Sequence, residues 1–504
     1  MKNYIDFRMV VYENRTVFFK IGAYLLLVLT GWFIASRIAN IPTRFEIILI
    51  VVSLSFIPVL KKPMWGVYCV LIVSLFVNFF RRLYYLLYER PKFDIFLILT
   101  DVILVLILLS VFLVYRKRGN PEIEVKIVYP IIIFLTLYQF ARVFILSSYG
   151  VSEGLFQFKF NGLYFLLFFI AAYNLKEKGE IVRFFRITII CGTIVGLYAL
   201  KQVILGYTDF EKIWFNSIDF TSLYIGGVPR PFSTLSSPAT LADFLLICSV
   251  LLYCEIRWGV MNLRLWSSVL FPFFLIILLL TSVRSNWIGI IFGILFVEFF
   301  LKFNNYKNRV MMLIALILCF VLMSNFIDST GVTKLSKKED MLVKDKAKSK
   351  KIFNLMVKNR ATALTDPMSE GSLKHRLALW NYVLITSLTS LEGFVGNGMC
   401  RNFTHNYYLG FLHSGGWIGF ASILTIFFLI FKHGVRIHDQ SQDEDKKITK
   451  ILLCILFVIA IINLTGNHME THPADIYFWI LSAALLKFRY LINKETLTDQ
   501  ESHV

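Results

Sequence analysis

Two arginines in this sequence stand in local contexts that suggest a functional role. Arg230 lies between two prolines in Val228-Pro229-Arg230-Pro231, which stiffen the local backbone and present its guanidinium from a fixed turn. Arg284 lies between two apolar runs with almost no loop, and an arginine near a membrane is costly unless it is partnered or hydrated. Both arginines are therefore candidates for a functional site. The plainer interpretation of Arg284 is that it extends to the lipid headgroups from the end of a span.

A histidine and a third arginine occur farther along the chain. His405 is the last ionisable residue before an apolar run and follows Gly396-Asn397-Gly398, whose glycines permit close backbone approach. A histidine can accept a proton near neutral pH, which suits it to general-base catalysis. Arg376 lies one helical turn before Trp380. The plainer interpretations are a histidine satisfied at a helix end and a solvated arginine beside a buried tryptophan.

Other ionisable residues are weaker candidates. His468, Glu470 and His472 have a spacing that metal ligands can show, but they lie in a short segment next to a proline, so we predict no metal site there. Asp101 and Glu298 fall within apolar runs and could serve a proton pathway. Such isolated acids are more often paired inside a helical bundle or close to its edge.

The elements that position these residues must be membrane helices. Hydrophobic residues make up 57% of the 504 and charged residues 17%, and the mean hydropathy is +0.67. A soluble globular protein has about 45–50% apolar and about 25% charged residues. The apolar residues occur in runs of about 20, the length that a bilayer core requires. We therefore predict an all-α, polytopic membrane protein with about twelve to fourteen transmembrane helices.

The hydropathy runs place these spans at intervals along the whole chain. They are predicted near residues 18–36, 45–60, 64–80, 95–115, 127–147, 160–174, 187–205, 239–256, 267–283, 286–301, 310–327, 408–431, 451–466 and 475–491. In the span near 286–301, Gly289 and Gly293 lie four residues apart, which predicts a face where another helix packs closely.

The net charge of +19 does not indicate nucleic-acid binding, because of where the charges lie. Roughly half of the Lys and Arg residues fall in short segments between spans that alternate to one side, which predicts that this side, with both chain ends, is cytoplasmic. Arg81 and Arg82 fit this topology least well, since it places them outside.

The predicted topology divides the chain into five regions. N-terminal transmembrane helices occupy 1–205, a first outer loop 206–238 and central transmembrane helices 239–327. A large extracytoplasmic loop spans 328–406, and the C-terminal helices and cytoplasmic tail span 407–504. Within the large loop, one residue set is spaced as on a single face of an amphipathic helix. Its members are Leu373, Leu377, Trp380 and Leu384, with Ser372 as the predicted N-cap.

Four segments, in this order, resemble those of the O-antigen ligase and O-antigen polymerase superfamily. They are "SSPATLADFLL" after Arg230, "LLLTSVRSNWIGI" around Arg284, "HRLALWNYVLI" containing Arg376, and "GNGMCRNFTHNYYLGFLHSGGWIGF" containing His405. The resemblance covers roughly residues 220–430. Many members carry an acid shortly before the glycine of the last segment, whereas this chain reads His413-Ser414-Gly415-Gly416.

The resemblance implies a glycosyltransferase of the bacterial inner membrane with its active site on the extracytoplasmic face. It would move glycan from an undecaprenyl-diphosphate-linked donor to the hydroxyl of an acceptor glycan, without a metal or other cofactor. Arg230 and Arg284 would bind the diphosphate, Arg376 would add a contact, and His405 would be the catalytic base. The partners would be a lipid-linked oligosaccharide, a glycan acceptor and the lipid bilayer, with no nucleic acid.

Two alternatives stay open at this point. The enzyme could be a polymerase or a ligase, and polymerase is favoured only because nothing indicates an outer-membrane lipid acceptor. A transporter or flippase of lipid-linked oligosaccharide would also have many spans and buried cations. Transporters often show two related halves, which this sequence does not.

Overall fold

The computed structural model describes residues 63–88, 96–115, 123–145, 150–217, 224–225, 228–299, 371–389, 392–398 and 404–502, all within the unit Pro63–Val504. The predicted spans near 18–36, 45–60 and 310–327 lie outside these residues, as do Lys334–Lys351 and most of the rest of the predicted large loop.

The first part of the described chain is helical up to a short hairpin. Its helices are α1 Pro63–Tyr88, α2 Phe96–Tyr115, α3 Ile123–Ile145, α4 Val151–Asn161, a 3-10 helix Leu163–Phe165, α5 Leu166–Asn174, α6 Lys178–Leu205 and α7 Asp209–Ser217. Strands β1 Tyr224–Ile225 and β2 Val228–Pro229 pair antiparallel and lead directly to Arg230.

The second part consists of helices before, within and after the predicted large loop, 328–406. These are α8 Pro238–Trp258, α9 Arg264–Leu280, α10 Arg284–Phe299, α11 Gly371–Thr389, α12 Glu392–Val395, α13 Tyr407–Gln440, α14 Asp443–Ile462, a 3-10 helix His468–Glu470 and α15 Ala474–Ser502.

Six helical stretches of the described chain are long and apolar enough to cross a membrane. They are Met64–Tyr85, Lys126–Phe144, Val151–Asn174, Lys178–Leu205, Pro238–Trp258 and Tyr407–Gln440. Helices α2, α9, α10, α14 and α15 cover the other predicted spans within the described residues. The chain is therefore a helical protein with the features of a multi-pass membrane protein.

The outward faces of these helices are apolar, as a bilayer requires. On α3, Phe134, Leu137 and Phe144 are 50%, 62% and 59% exposed. A continuous exposed apolar stripe of this kind would be an aggregation hazard in water, but it is favourable against lipid tails.

Helix α8 is central and is buried along nearly its whole length, where it packs against α6, α9, α10 and α14. It begins with a capping box in which Ser237 and Thr240 satisfy each other's backbone amides, and Pro238 occupies the first turn. It ends at Gly259, whose left-handed conformation (φ 67°) closes the helix through a hydrogen bond from its N–H to the Glu255 carbonyl.

The close-packing prediction for Gly289 and Gly293 is confirmed. A Cβ on Gly289 would lie 2.7 Å from Ile462 and 2.8 Å from Leu246, and one on Gly293 would lie 2.8 Å from Val458. The two glycines thus let α10 approach α8 and α14 more closely than any side chain would permit.

Two helices differ from the sequence-based expectation. Helix α4 lies where the sequence predicted a connection, because Glu153 and Lys159 interrupt the apolar run although the backbone continues as helix. The predicted N-cap Ser372 lies within the first turn of α11, since the helix begins at Gly371.

The buried face of α11 is also rotated from the predicted one. Val383 is buried and Leu384 is 41% exposed, so Leu384 lies off the contact face, whereas Trp380 of the predicted set lies on it. Arg376, Trp380 and Ser387, at helical spacing with Val383, contact the rest of the protein through hydrogen bonds. Polar contacts determine which face of α11 packs against the protein, and the spacing of hydrophobic residues does not reveal such contacts.

Because successive helices run in opposite directions, the connections that carry the predicted site residues lie at one end of the bundle, which we call the site end. It contains the turn Arg230–Leu235, the corner 281–283 between α9 and α10, the segment 404–406, and the connection 463–473 between α14 and α15. The C-terminal part of α1 reaches the same end, since Arg82 Nη1 donates to the Ser233 carbonyl. At the opposite end, Lys178 and Asp445 form an ion pair of 2.9 Å between the starts of α6 and α14.

Candidate functional site

The turn Arg230–Leu235 and the corner 281–283 are joined by Arg230 itself. The Arg230 Nε donates to the Thr281 carbonyl at 2.8 Å, and the Tyr207 hydroxyl donates to the Arg230 carbonyl at 2.8 Å. Arg230 is partly buried, so the turn holds it against the bundle rather than leaving it in solvent. One guanidinium nitrogen is therefore engaged by the protein backbone, which orients the planar group.

Arg284 follows this corner directly, in the first turn of α10. Helix α9 ends at Leu280, and Ser282 adopts a left-handed conformation (φ 57°) that reverses the chain within three residues. The carbonyl that binds Arg230 belongs to Thr281, three residues before Arg284. The structure thus brings the segments of these two predicted site residues into contact.

A buried polar network connects the start of α10 to the connection 463–473. Asn286 Nδ2 donates to Asp243 Oδ1 at 2.7 Å, and His468 Nδ1 lies 2.7 Å from the same oxygen. Asp243 and His468 have side chains only 1% and 7% exposed. Helix α8, helix α10 and the connection therefore meet at the Asp243 carboxylate. Its partner Asn286 lies two residues after Arg284.

Arg376 and the His405 segment rest on the same connection. Arg376 Nη1 donates to the Thr465 carbonyl at 3.2 Å. The Tyr407 amide donates to the carbonyls of Asn463 at 3.0 Å and Gly466 at 3.2 Å. The Asn406 side chain donates to the Leu464 carbonyl at 2.8 Å.

His405 lies between two anchored residues. Trp380 Nε1 donates to the Thr404 carbonyl at 2.7 Å, and Asn406 caps α13 by accepting a hydrogen bond from the Leu409 amide at 3.0 Å. Between them His405 is exposed and has φ 51°, a left-handed conformation that is uncommon outside glycine, although asparagine, aspartate and histidine adopt it more often than other residues. The segment holds the histidine outward at the site end, at some cost in backbone strain.

The four predicted site residues thus lie at one end of the bundle in two linked pairs. Contacts join the segments of Arg230 and Arg284 to each other, and they join those of Arg376 and His405 through the connection. Thr465 and His468, three residues apart on that connection, link one pair to the other. These contacts join the segments that carry the four site residues.

Two parts of this site were not predicted. Asp243, in "TLADFLL", was passed over although an acid inside an apolar span is a signal for function or pairing. His468 was considered only as a metal ligand, and its pairing with Asp243 joins residues far apart in sequence. The hydropathy pattern contains no information about that partner.

The three residues with metal-like spacing have different partners. His468 contacts Asp243, the Glu470 carboxylate accepts a hydrogen bond from Asn161 at 3.4 Å, and His472 contacts Asp475 at 2.9 Å. Among the described residues, no group of three or more His, Cys, Asp or Glu side chains could hold a metal ion.

The glycine-rich segment and the departure at residues 413–416 contact each other. Helix α13 is interrupted at Gly416 (φ 59°), and the Asn397 amide donates to the His413 carbonyl at 2.9 Å. A Cβ on Gly396 would lie 2.2 Å from the Ser414 carbonyl oxygen, so this approach requires glycine. Tyr138 on α3 donates to the Gly415 carbonyl at 3.1 Å and ties this interruption to the bundle.

The two acids within apolar runs are both paired. Asp101 forms an ion pair of 2.9 Å with Lys159 and accepts a hydrogen bond from the Tyr164 hydroxyl at 2.8 Å. Glu298 forms an ion pair of 3.1 Å with Arg257. These contacts confirm the expectation that such acids are paired within the bundle or at its edge.

No protein-family model matches this chain, and no curated protein matches it. The chemistry of the site end is therefore the basis for inferring function.

Proposed function

We propose that this protein is a membrane glycosyltransferase that moves glycan from an undecaprenyl-diphosphate-linked donor to a hydroxyl of an acceptor glycan. The observation that carries the proposal is the hydrogen bond from Arg230 Nε to the Thr281 carbonyl, which brings two arginine-bearing segments together. The corner joins two apolar helices, and in the proposal it lies at the membrane boundary, where the arginines would meet a lipid diphosphate.

The arginines supply the charge that the leaving group needs. A departing lipid diphosphate carries negative charge, and guanidinium groups can stabilise it through paired hydrogen bonds. In the proposed reaction Arg230 and Arg284 bind the diphosphate and Arg376 adds a contact from α11. The Arg230 Nε binds the Thr281 carbonyl, and in the proposed reaction the guanidinium meets the donor diphosphate from this position.

The acceptor hydroxyl is a poor nucleophile and must lose its proton during the reaction. In the proposed mechanism His405 accepts that proton while the hydroxyl oxygen bonds to the anomeric carbon and the bond to the diphosphate breaks. A base of this kind contributes about 10²–10⁴-fold to the rate. Its exposed position leaves His405 accessible to an incoming glycan. Attack opposite the leaving group would invert the anomeric centre.

A second candidate, a flippase of lipid-linked oligosaccharide, is favoured by one observation. The interruption of α13 at Gly416 resembles the broken helices that line transporter substrate sites.

The proposed location for either activity is the cytoplasmic membrane of a bacterium, with the site end on the extracytoplasmic face.

Purified protein in liposomes that contain lipid-linked repeat units separates the two functions. The proposed glycosyltransferase should form longer or newly attached glycans without a nucleotide sugar. Movement of the donor across the bilayer without a new glycosidic bond would identify a flippase and overturn the proposal. The glycan product, extended donor or modified acceptor, distinguishes polymerase from ligase.

A further inference from the structure

Arg82 is a fully buried cation that reaches the turn Arg230–Leu235 from helix α1. Its Nη1 donates to the Ser233 carbonyl at 2.5 Å and its Nη2 donates to the Leu235 carbonyl. Glu211 lies 3.7 Å from Nη1, and neither side chain is exposed. The guanidinium carbon is 4.3 Å from the centre of the Phe232 ring, so Arg82 contacts three residues of the turn.

The same turn is held from the other side by Gln202 on α6. Its Oε1 accepts hydrogen bonds from the amides of Phe232 at 3.0 Å and Ser233 at 2.7 Å, and its Nε2 donates to Glu211 at 2.5 Å. The turn's carbonyls are thus bound by Arg82 and its amides by Gln202. Glu211 contacts both side chains and completes one buried network.

This network imposes a conformation that the turn would not adopt readily by itself. Ser233 has φ 53°, a left-handed conformation that costs energy for serine, and its hydroxyl donates to the Val195 carbonyl at 2.6 Å. Such strain persists only where surrounding contacts over-determine the backbone. Arg82 binds the carbonyls of Ser233 and Leu235 from two nitrogens held in one plane, a fixed geometry that the single nitrogen of an ammonium group does not reproduce.

We propose that Arg82 is a positioning residue for Arg230, and this inference rests on the proposed function. By holding the turn at Ser233 and Leu235, Arg82 fixes the backbone from which Arg230 reaches Thr281 and the donor diphosphate. A buried ion pair is weak support for stability, because apolar replacements are often as stable. The two carbonyl contacts therefore point to geometry as the contribution of Arg82.

The first test measures the turn without any assay of activity. Hydrogen–deuterium exchange of the purified full chain should show that Arg82→Lys speeds exchange at the Phe232 and Ser233 amides by about tenfold or more, with helix α8 unchanged. The matched control is Arg81→Lys, since Arg81 is the preceding residue on α1 and lies over the Tyr85 ring at 5.6 Å. Unchanged exchange in Arg82→Lys would overturn the positioning role even if the enzyme transfers glycan.

The second test asks whether Arg82 acts through Arg230. Arg82→Lys should lower kcat/KM for the lipid-linked donor by about 10- to 100-fold, as a small misplacement of a binding group does. In an Arg230→Ala background the same substitution should cost less than about twofold, because the group that it positions is gone. Equal costs in both backgrounds would show a merely structural role and overturn the inference.

A further variant keeps the test decisive if Arg82→Lys does not accumulate in the membrane. Arg82→Gln combined with Glu211→Gln removes both buried charges together, which avoids an uncompensated ion. The same exchange and coupling results are expected from it. If the wild-type protein transfers no glycan, the proposed function fails, whereas the exchange result still decides whether Arg82 fixes the turn.

Discussion

His468 Nδ1 lies 2.7 Å from Asp243 Oδ1, and this contact joins helix α8 to the connection 463–473. Asn286, in the first turn of α10, donates to the same oxygen at 2.7 Å. The start of α10, which carries Arg284, is therefore fixed against the connection that binds Arg376. One buried carboxylate thus holds the start of α10 and the connection 463–473 in the fixed relative positions that the proposed reaction needs.

The first prediction is that Asp243→Ala destabilises the protein by about 1–3 kcal/mol, because Asn286 and His468 lose a buried acceptor. Thermal or denaturant unfolding in detergent measures this cost. The matched control is Asp209→Ala, whose side chain is 94% exposed and whose ion pair with Lys212 lies at the surface. It should change stability by less than about 0.5 kcal/mol. Equal stability of the two variants would show that the Asp243 network contributes nothing.

The second prediction concerns Arg284, whose proposed tasks are to bind the diphosphate and to stabilise the leaving group. Arg284→Ala should weaken donor binding and lower turnover together, and Arg284→Lys should recover only part of both, since an ammonium lacks the planar fork. Titration with undecaprenyl diphosphate and initial-rate kinetics measure the two effects. Arg264→Ala, at the opposite end on α9, is the control and should retain activity. Full activity of Arg284→Ala would exclude the residue from the site.

The third prediction separates the base from the binding groups. His405→Asn should lower turnover by about two to four orders of magnitude while donor affinity stays close to that of the wild type. Asparagine tolerates the left-handed backbone of residue 405 (φ 51°) but cannot accept the proton, so this variant is cleaner than His405→Ala. Wild-type turnover would remove the general-base assignment and leave His405 as an ordinary helix-end histidine.

The fourth prediction is that transfer does not depend on a divalent metal, because arginines supply the charge that a metal would otherwise supply. Activity of the purified protein should survive prolonged treatment with EDTA, measured as glycan formed per unit time. Complete loss that Mg²⁺ or Mn²⁺ restores would show that acidic ligands take part. Chelation does not disturb the arginine contacts, so the experiment tests only whether a metal takes part at the diphosphate site.

The fifth prediction fixes the orientation of the bundle. In a variant lacking the native cysteines, a cysteine at position 212 on α7 should react with a membrane-impermeant maleimide in spheroplasts. A cysteine at position 446 should react only after the membrane is opened, since Lys446 lies near the Lys178–Asp445 ion pair at the opposite end. Labelling of position 446 in intact spheroplasts would place the site end in the cytoplasm. That result would contradict the proposal that the acceptor glycan binds on the extracytoplasmic face.

Much of the helical fold follows from hydropathy, because apolar runs of membrane length have few alternatives to a helix. The runs near 239–256 and 408–431 correspond to α8 and α13. The pattern fails at α4, where Glu153 and Lys159 lower the local hydropathy without ending the helix. Hydropathy detects apolar runs, whether they face lipid or protein, and misses helix segments that carry charged residues, as α4 does.

The contacts of the site end could be predicted only in part. Residue type and local context were enough to select the candidates: Arg284 and His405 adjoin apolar runs, Arg230 lies between two prolines, and Arg376 lies one turn before Trp380. Their partners could not be predicted, because Arg230 and Thr281 are 51 positions apart, Arg376 and Thr465 are 89 apart, and each pair meets only in the folded chain.

Three of the site-end arginines bind backbone carbonyls, and this affects how the sequence can diverge. Arg82 binds the carbonyls of Ser233 and Leu235, Arg230 binds that of Thr281, and Arg376 binds that of Thr465. Every residue type offers the same carbonyl, so substitutions at the accepting positions leave these contacts possible as long as the backbone path is kept. Relatives with the same architecture could therefore diverge in side chains until similarity of sequence fades, while the arrangement of the arginines persists.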